Sequence, residues 1–505
     1  MFPYLTNKTI IVGKAEEETL SSNAVIGNTT INVDLVSSIA SADLTKRSEY
    51  VIRDLDGEEK ITISGVSGGA SAVYLESAIT RNYSVNRKAA ILVPGVLCTP
   101  LAADFDTRLY NLTVAPVQEQ DNASMKYANG DYGRAESTQG ARTVEISFSE
   151  KLAVKKSVGT GAKVEITGIT GSAGSIKTIS ANPPSGQSGS GYVPGDLLQV
   201  AVGTNGLVRV LTVGSAGNVL TYDTTIVNGG SGSYAITGAA ATTPVYDIPN
   251  YSKFLKAAGH TVKWYNWGAG VGFQSLAKAD EDTLSFAVYQ IQGGAAPKAK
   301  KWLFTGCKCS SFDVGCEGLG KPYIANYKFT GKFLSVTTDD PIALSSCETG
   351  KAEKMLCNKI YTYDPITSAT VNLAVSTFKL DAGLKTVGIP DPSDCYSGSA
   401  FYIITDRDPK FTCDPLAKSL TDEAMETNIN NVELVAVTVK SASTLPNITI
   451  EMPTCQLGTA EYADKDGQIS NNRTYQCLRN NQGAGSHNTS LPAECPYEIL
   501  IGSRT

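Results

Sequence analysis

In the segment RTVEISFSE, Val144, Ile146 and Phe148 fall on one face and Glu145 and Ser147 on the other. This period of two predicts a half-buried β-strand, because successive side chains of an extended chain point to opposite sides. Shorter runs of the same kind, TINVDLV, YVIRDLD, EKITISGV and AVYLES, lie within residues 22–92. Asp-Gly, Gly-Gly and Asn-Arg breaks separate them, the spacing of a meander or small barrel. Residues 163–243 turn abruptly to Gly, Ser, Thr and Val. There VEITGITGSAGSIKTIS from Val164 is echoed by VRVLTVGSAGNVLTYD from Val208, and the GSGY ending at Tyr192 by the GSGSY ending at Tyr234. Two units of about 43 residues are too few for a solenoid. They predict a small pseudo-symmetric β module inserted in a larger domain, with strands such as Leu198 to Val202 and Leu207 to Val213.

Only two stretches carry helical spacing. In IPNYSKFLKAAGH, Tyr251, Phe254, Leu255 and Ala258 form an apolar stripe, Asn250 is placed to cap, and Gly259 suits the position after the last turn. A second helix is expected from Asp414-Pro415, where Leu416, Leu420 and Ala424 recur every four residues. The expected fold class is therefore all-β with one or two short helices.

Composition agrees with that class. The chain has 505 residues, 42% of them hydrophobic and 18% charged, with 47 glycines and 21 prolines, enough for two to four domains of turn-rich β structure. A net charge of −6 and the lack of any basic block argue against a surface that grips nucleic acid or anionic membrane. The opening MFPYLTNKTIIVG does not read as a signal peptide, and no apolar run approaches the ~20 residues of a membrane span. Synthesis and folding in a cytoplasm are expected. Asn-x-Ser/Thr sequons such as those at Asn111 and Asn447 then reflect composition, and the eleven cysteines are expected to be mostly free thiols.

Candidate chemistry is sparse. Gly65-Val66-Ser67-Gly68-Gly69 matches the nucleophile elbow G-x-S-x-G, but another strand follows where a helix should. The only histidines, His260 and His487, have no acidic context, so no acid, base and nucleophile combine into an enzyme. Cys307, Cys309 and Cys316 crowd into FTGCKCSSFDVGC. On a regular strand Cys307 and Cys309 share a face with Cα atoms roughly 6.6 Å apart, at the limit of disulfide reach. No fourth ligand completes a zinc set. Buried apolar thiols are the expectation, with no metal and no cofactor.

The same region resembles the tail tube proteins of long-tailed, non-contractile bacteriophages. The resemblance rests on SFDVGCEGLGKP followed by an aromatic strand ending Phe329-Thr330-Gly331, and upstream on DYGRAESTQGARTVEISFSEKL. The helix ending at residues 257–260 and the downstream blocks SAFYIITDRDPKFTCDPL, LPNITIEMPTCQ and YEILIG also fit. It covers about 330 residues, and the modules at 22–92 and 163–243 depart from the common pattern. The family likeness implies a first tube-like β domain made of residues 1–21, 93–162 and 244–333, and a second at 334–505. It marks Val144, Ile146, Phe148, Phe254, Leu255, Phe312, Val314, Tyr327, Phe329 and Gly331 as structural positions. It implies self-assembly into stacked rings, a trimer imitating six-fold symmetry being favoured over a hexamer. Implied partners are tape-measure, terminator and tail-tip proteins, with DNA passing through the lumen unbound and no membrane contact. The location would be the virion, assembled in the host bacterial cytoplasm. A β-rich surface adhesin or carbohydrate-binding structural protein is the alternative.

Overall fold

A computed structural model describes residues 5–14, 17–33, 50–54, 57–66, 72–85, 90–92, 107–109, 117–124, 137–169, 174–201, 204–231, 237–249, 251–265, 269–276, 283–292, 298–318, 321–338, 359–364, 369–373, 375–390, 399–415, 434–441, 447–465, 468–480 and 491–504. The chain is all-β with one short helix. Its largest sheet network holds seventeen strands. The axis of this network is Lys298–Cys316, a strand long enough to serve two neighbourhoods. Along its first half it pairs with Leu284–Gln292, near its end with Val375–Asp381, and along nearly all its length with Ile324–Thr338. Ile324–Thr338 in turn pairs with Ser137–Lys151, setting Val144, Ile146 and Phe148 opposite Gly331, Phe329 and Tyr327.

On the other side the network continues from Val375–Asp381 through Lys410–Pro415 and Gln468–Cys477 to Ile448–Lys465. Glu498–Gly502 lies between Ile448–Lys465 and Gly270–Ser275. All these strands face one hydrophobic core that runs from Val144 to Ile501. The boundary expected at 333/334 thus falls inside a strand, and residues on both sides of it share that core. The reason is the length of Lys298–Cys316 and Ile324–Thr338, which carry the ladder from one half into the other.

The helix is shorter than its apolar stripe predicts, Ser252–Ala257, and buried on every side, Lys253 and Lys256 included. Asn250 lies outside the described residues. Tyr251 occupies the cap position without a side-chain cap bond; instead the Pro249 carbonyl accepts the Ser252 N–H, and the Tyr251 hydroxyl donates to the Ala153 carbonyl at 2.8 Å. Gly259 has φ +83°, the left-handed geometry expected after the last turn. At the second expected helix, Asp414 and Pro415 end a strand, Lys410–Pro415, and Leu416, Leu420 and Ala424 lie outside the described residues.

Besides a small cluster of Leu197, Leu207, Val227 and Val245 that packs on Trp264 at the edge of the large core, two larger cores stand apart. Leu20 to Ile91 enclose one, between a four-stranded sheet that includes Glu17–Thr19 and a three-stranded sheet. Ala162 to Ala240 enclose the other, in the Gly-rich segment, whose strands run from Thr160–Ile169 to Thr237–Pro244. These two cores touch: Ser84 donates to Asp223 at 2.9 Å where both are buried, Asn23 to Thr225 at 2.6 Å, and Asn82 to the Ile226 carbonyl at 3.1 Å.

Candidate functional site

The described part of the elbow-like motif, Gly65-Val66, closes the strand Ile63–Val66, and the following strand Ala72–Leu75 pairs back on it. Strand follows strand, so the strained strand-to-helix turn of a nucleophile elbow has no place there. Ser67 to Gly69 and His487 lie outside the described residues. His260 is fully buried. Its Nδ1 faces the Leu255 carbonyl at 2.9 Å, and the edges of Phe312 and Tyr497 meet its ring. With Nδ1 donating, Nε2 is left as an acceptor, and it has no hydrogen-bond partner among the described residues. Burial, with a smaller contribution from Arg407, pushes its pKa down to about 3.

Nine of the ten structural positions marked by the sequence lie in the large core. Phe148 meets Phe254 edge-on at 4.9 Å and stacks on Tyr327 at 5.3 Å, while Phe312 lies 5.2 Å from Tyr327. The tenth, Gly331, is buried, and a Cβ there would fall on Cys307 Sγ and 3.0 Å from its Cα. Gly331→Ala is therefore expected to cost about 1–3 kcal/mol through overpacking, read as a lower urea midpoint; an unchanged midpoint would show that the two strands part freely.

Cys307, Cys309 and Cys316 are buried in the same core. Their strand is not regular: its ladder shifts register between Thr305 and Lys308 and again between Cys309 and Ser311, and Gly306 has φ +59°. Cys309 donates to the Ser311 carbonyl at 3.2 Å and Cys316 to the Gly318 carbonyl at 3.0 Å. Burial holds the Cys307 thiol well above its usual pKa. Among the described residues no group of His, Cys, Asp and Glu is placed to hold a metal ion.

The densest ionisable cluster gave no motif. Glu498 has no exposed surface and sits in register with Gln274 on one neighbouring strand and Glu451 on the other. Its Oε1 accepts from the Tyr265 hydroxyl at 2.6 Å and from Gln274 Nε2 at 3.0 Å. Its Oε2 accepts Arg504 Nε at 3.2 Å and pairs with a second Arg504 nitrogen, while the remaining one reaches Glu451 at 2.6 Å. Burial first, then Glu498, raises the Tyr265 phenol well above its usual range. Gly272 is required beside this group, because a Cβ there would fall on Glu498 Oε1 and 2.7 Å from the Tyr265 ring. Both Glu498 oxygens are filled by protein donors, so this carboxylate is set up to hold strands together and not to take a proton from a substrate.

No protein-family model and no curated protein matches the chain. What it can do has to come from its own geometry. A second buried group joins the Gly-rich module to the large core: Arg209 pairs with Asp247 at 2.9 Å, both nearly unexposed, and Lys155 reaches Asp247 at 3.3 Å. Asp247 lies on Tyr246–Asp247, which pairs with Lys155–Lys156 as a short stem. Nearby, burial raises the Asp196 carboxyl against the bond it accepts from Ser157. A lone Glu in the apolar run YEILIG, with Arg504 six positions on, was the only sequence signal for the first group.

Proposed function

We propose that this chain is a structural subunit that polymerises into stacked rings, the tube of a phage tail enclosing the channel for DNA. The observation that carries the reading is a pair of long antiparallel hairpins. Lys298–Cys316 with Ile324–Thr338 comes from one part of the chain, and Ile448–Lys465 with Gln468–Cys477 from the other. The second pairs out to its tip, Lys465 opposite Gln468, and bears exposed Tyr462 and Ile469 near that tip. Two such arms per chain give six per trimer, which favours a trimeric ring imitating six-fold symmetry. The net charge of −6 suits a lumen that passes DNA without trapping it. No helix among the described residues is long and apolar enough to cross a membrane. Negative-stain microscopy and light scattering of the purified chain over a concentration series, with immunolabelling of assembled particles, test the proposal. Rings or tubes are expected; a monomer at every concentration that is also missing from particles would overturn it.

On this reading the Gly-rich module decorates the outside of the tube. Replacing residues 157–245 with Asn-Gly would join Lys156 to Tyr246 through a two-residue turn on the existing stem. The large core is expected to fold with its melting behaviour retained and to assemble as before. The loss falls on residues 17–92, where Asn23, Asn82 and Ser84 lose partners at about 1 kcal/mol each. Adding Asp247→Asn removes the carboxylate that would lose Arg209. Failure of both versions to give soluble protein would rule out a peripheral module.

A further inference from the structure

We propose that Cys455 and Cys477 are a latent disulfide site, closed by a low-molecular-weight disulfide when the protein meets an oxidising medium. The two residues lie directly opposite each other on Ile448–Lys465 and Gln468–Cys477, with Sγ atoms 3.9 Å apart and both side chains buried. Their backbone setting is the favourable one. The Leu478 N–H bonds the Thr454 carbonyl, so that neighbouring couple carries the ladder bond, and the Cys477 N–H turns away to the Pro409 carbonyl. Cys455 and Cys477 are thus a non-hydrogen-bonded pair, for which Cα atoms stand about 4.5 Å apart. That lies within the range a disulfide spans, and side-chain rotation is enough to bring the sulfurs into bonding distance. None of the other buried cysteines, Cys307, Cys309, Cys316, Cys413 and Cys495, has such a partner opposite it in a ladder.

The chemistry is a double exchange. Cys477, at the end of its strand, attacks one sulfur of the small disulfide as a thiolate; a mixed disulfide forms and one small thiolate leaves. Cys455 then gives up its proton and attacks the protein sulfur of the mixed disulfide, expelling the second small thiolate. Two protein thiols become one disulfide, two protons pass to the departing thiolates, and the small disulfide is reduced to two thiols. Burial holds the Cys455 thiol far above its usual pKa, with Cys477 adding to the effect, so closure waits on local opening of the hairpin and is slow. Once closed, the bond clamps the hairpin that bears Tyr462 and Ile469, below its tip.

The test incubates the purified full chain with a series of oxidised to reduced glutathione ratios, then alkylates in denaturant and maps peptides without reduction. The expected product is one linked peptide joining Cys455 to Cys477 and the loss of those two thiols alone. Hydrogen exchange at Tyr475 and its neighbours is expected to slow about tenfold or more in the linked form, an effect reversed by dithiothreitol. Full alkylation of both cysteines after prolonged incubation at the most oxidising ratio overturns the proposal, as does linkage of either to a different cysteine. The measurement on the unmodified chain stands whether or not Cys455→Ala and Cys477→Ala fold; where they do, each must abolish the linked peptide.

Discussion

Arg504→Met is expected to destabilise the large core by about 3–5 kcal/mol, the usual cost of removing one partner from a buried ion pair. The change leaves Glu498 without exposed surface, held only by Tyr265 and Gln274, and in register with a second carboxylate, Glu451. Much of that cost is the stranded charge and not the lost contact. Pairing Arg504→Met with Glu498→Gln should therefore recover part of the loss, whereas two independent sites would add. Urea midpoints followed by tryptophan fluorescence give the comparison, with hydrogen exchange on Glu498–Gly502 reporting the affected strands directly. A loss under about 1 kcal/mol for Arg504→Met would mean that water replaces the guanidinium.

Acid should weaken the fold through His260. Its folded pKa of about 3 lies below the usual imidazole value, so the folded state binds the proton less readily than the unfolded chain. Above about pH 6.5 both states hold a neutral ring and the group imposes no penalty. As pH falls from there towards 3, the unfolded state alone takes the proton, and stability drops by about 1.4 kcal/mol per pH unit, some 4–5 kcal/mol in all. His260→Gln keeps a donor for the Leu255 carbonyl and cannot titrate. The variant should lose less stability between pH 7 and pH 4 than the parent, by roughly 3 kcal/mol. Parallel loss in both proteins would assign the acid sensitivity to carboxylates elsewhere.

The elements legible in the sequence were those whose burial is one-sided and local. Val144, Ile146 and Phe148 alternate with Glu145 and Ser147, and that alternation alone fixes which face meets the core. Composition changes near residues 22 and 163, whereas the strands at those places begin a few residues earlier, at Glu17 and Thr160. At Asp414-Pro415 the structure shows the end of a strand whose partners lie far along the chain, while the expected helical positions Leu416, Leu420 and Ala424 fall outside the described residues. Sequence could not show that residues before and after 333 share one core, because pairings between strands far apart in the chain join them, Lys298–Cys316 with Val375–Asp381 and Gly270–Ser275 with Glu498–Gly502. Glu498 showed in sequence only as a lone charge in an apolar run, because two of the donors that hold it, Tyr265 and Gln274, lie far along the chain. Its donors are Tyr265, Gln274 and Arg504, of which the ladder sets Gln274 directly opposite it.

The pairing inside the Gly-rich module lies on a local two-fold axis. Gln199 stands opposite Thr243 and Val200 opposite Thr242. The sheet runs in the order Ile176–Ile179, Thr160–Ile169, Thr237–Pro244, Leu197–Val200, Thr204–Val213, Val219–Ser231, so exchanging the two echoed halves maps this central pairing onto itself. A contact that survives exchange of its two sides is what an isologous homodimer makes at its two-fold axis. The module therefore has the form of a two-fold dimer of one segment, its two copies joined in tandem in the same chain. Each half keeps a self-complementary edge, and its partner in the same chain is what now prevents that edge from recruiting a stranger.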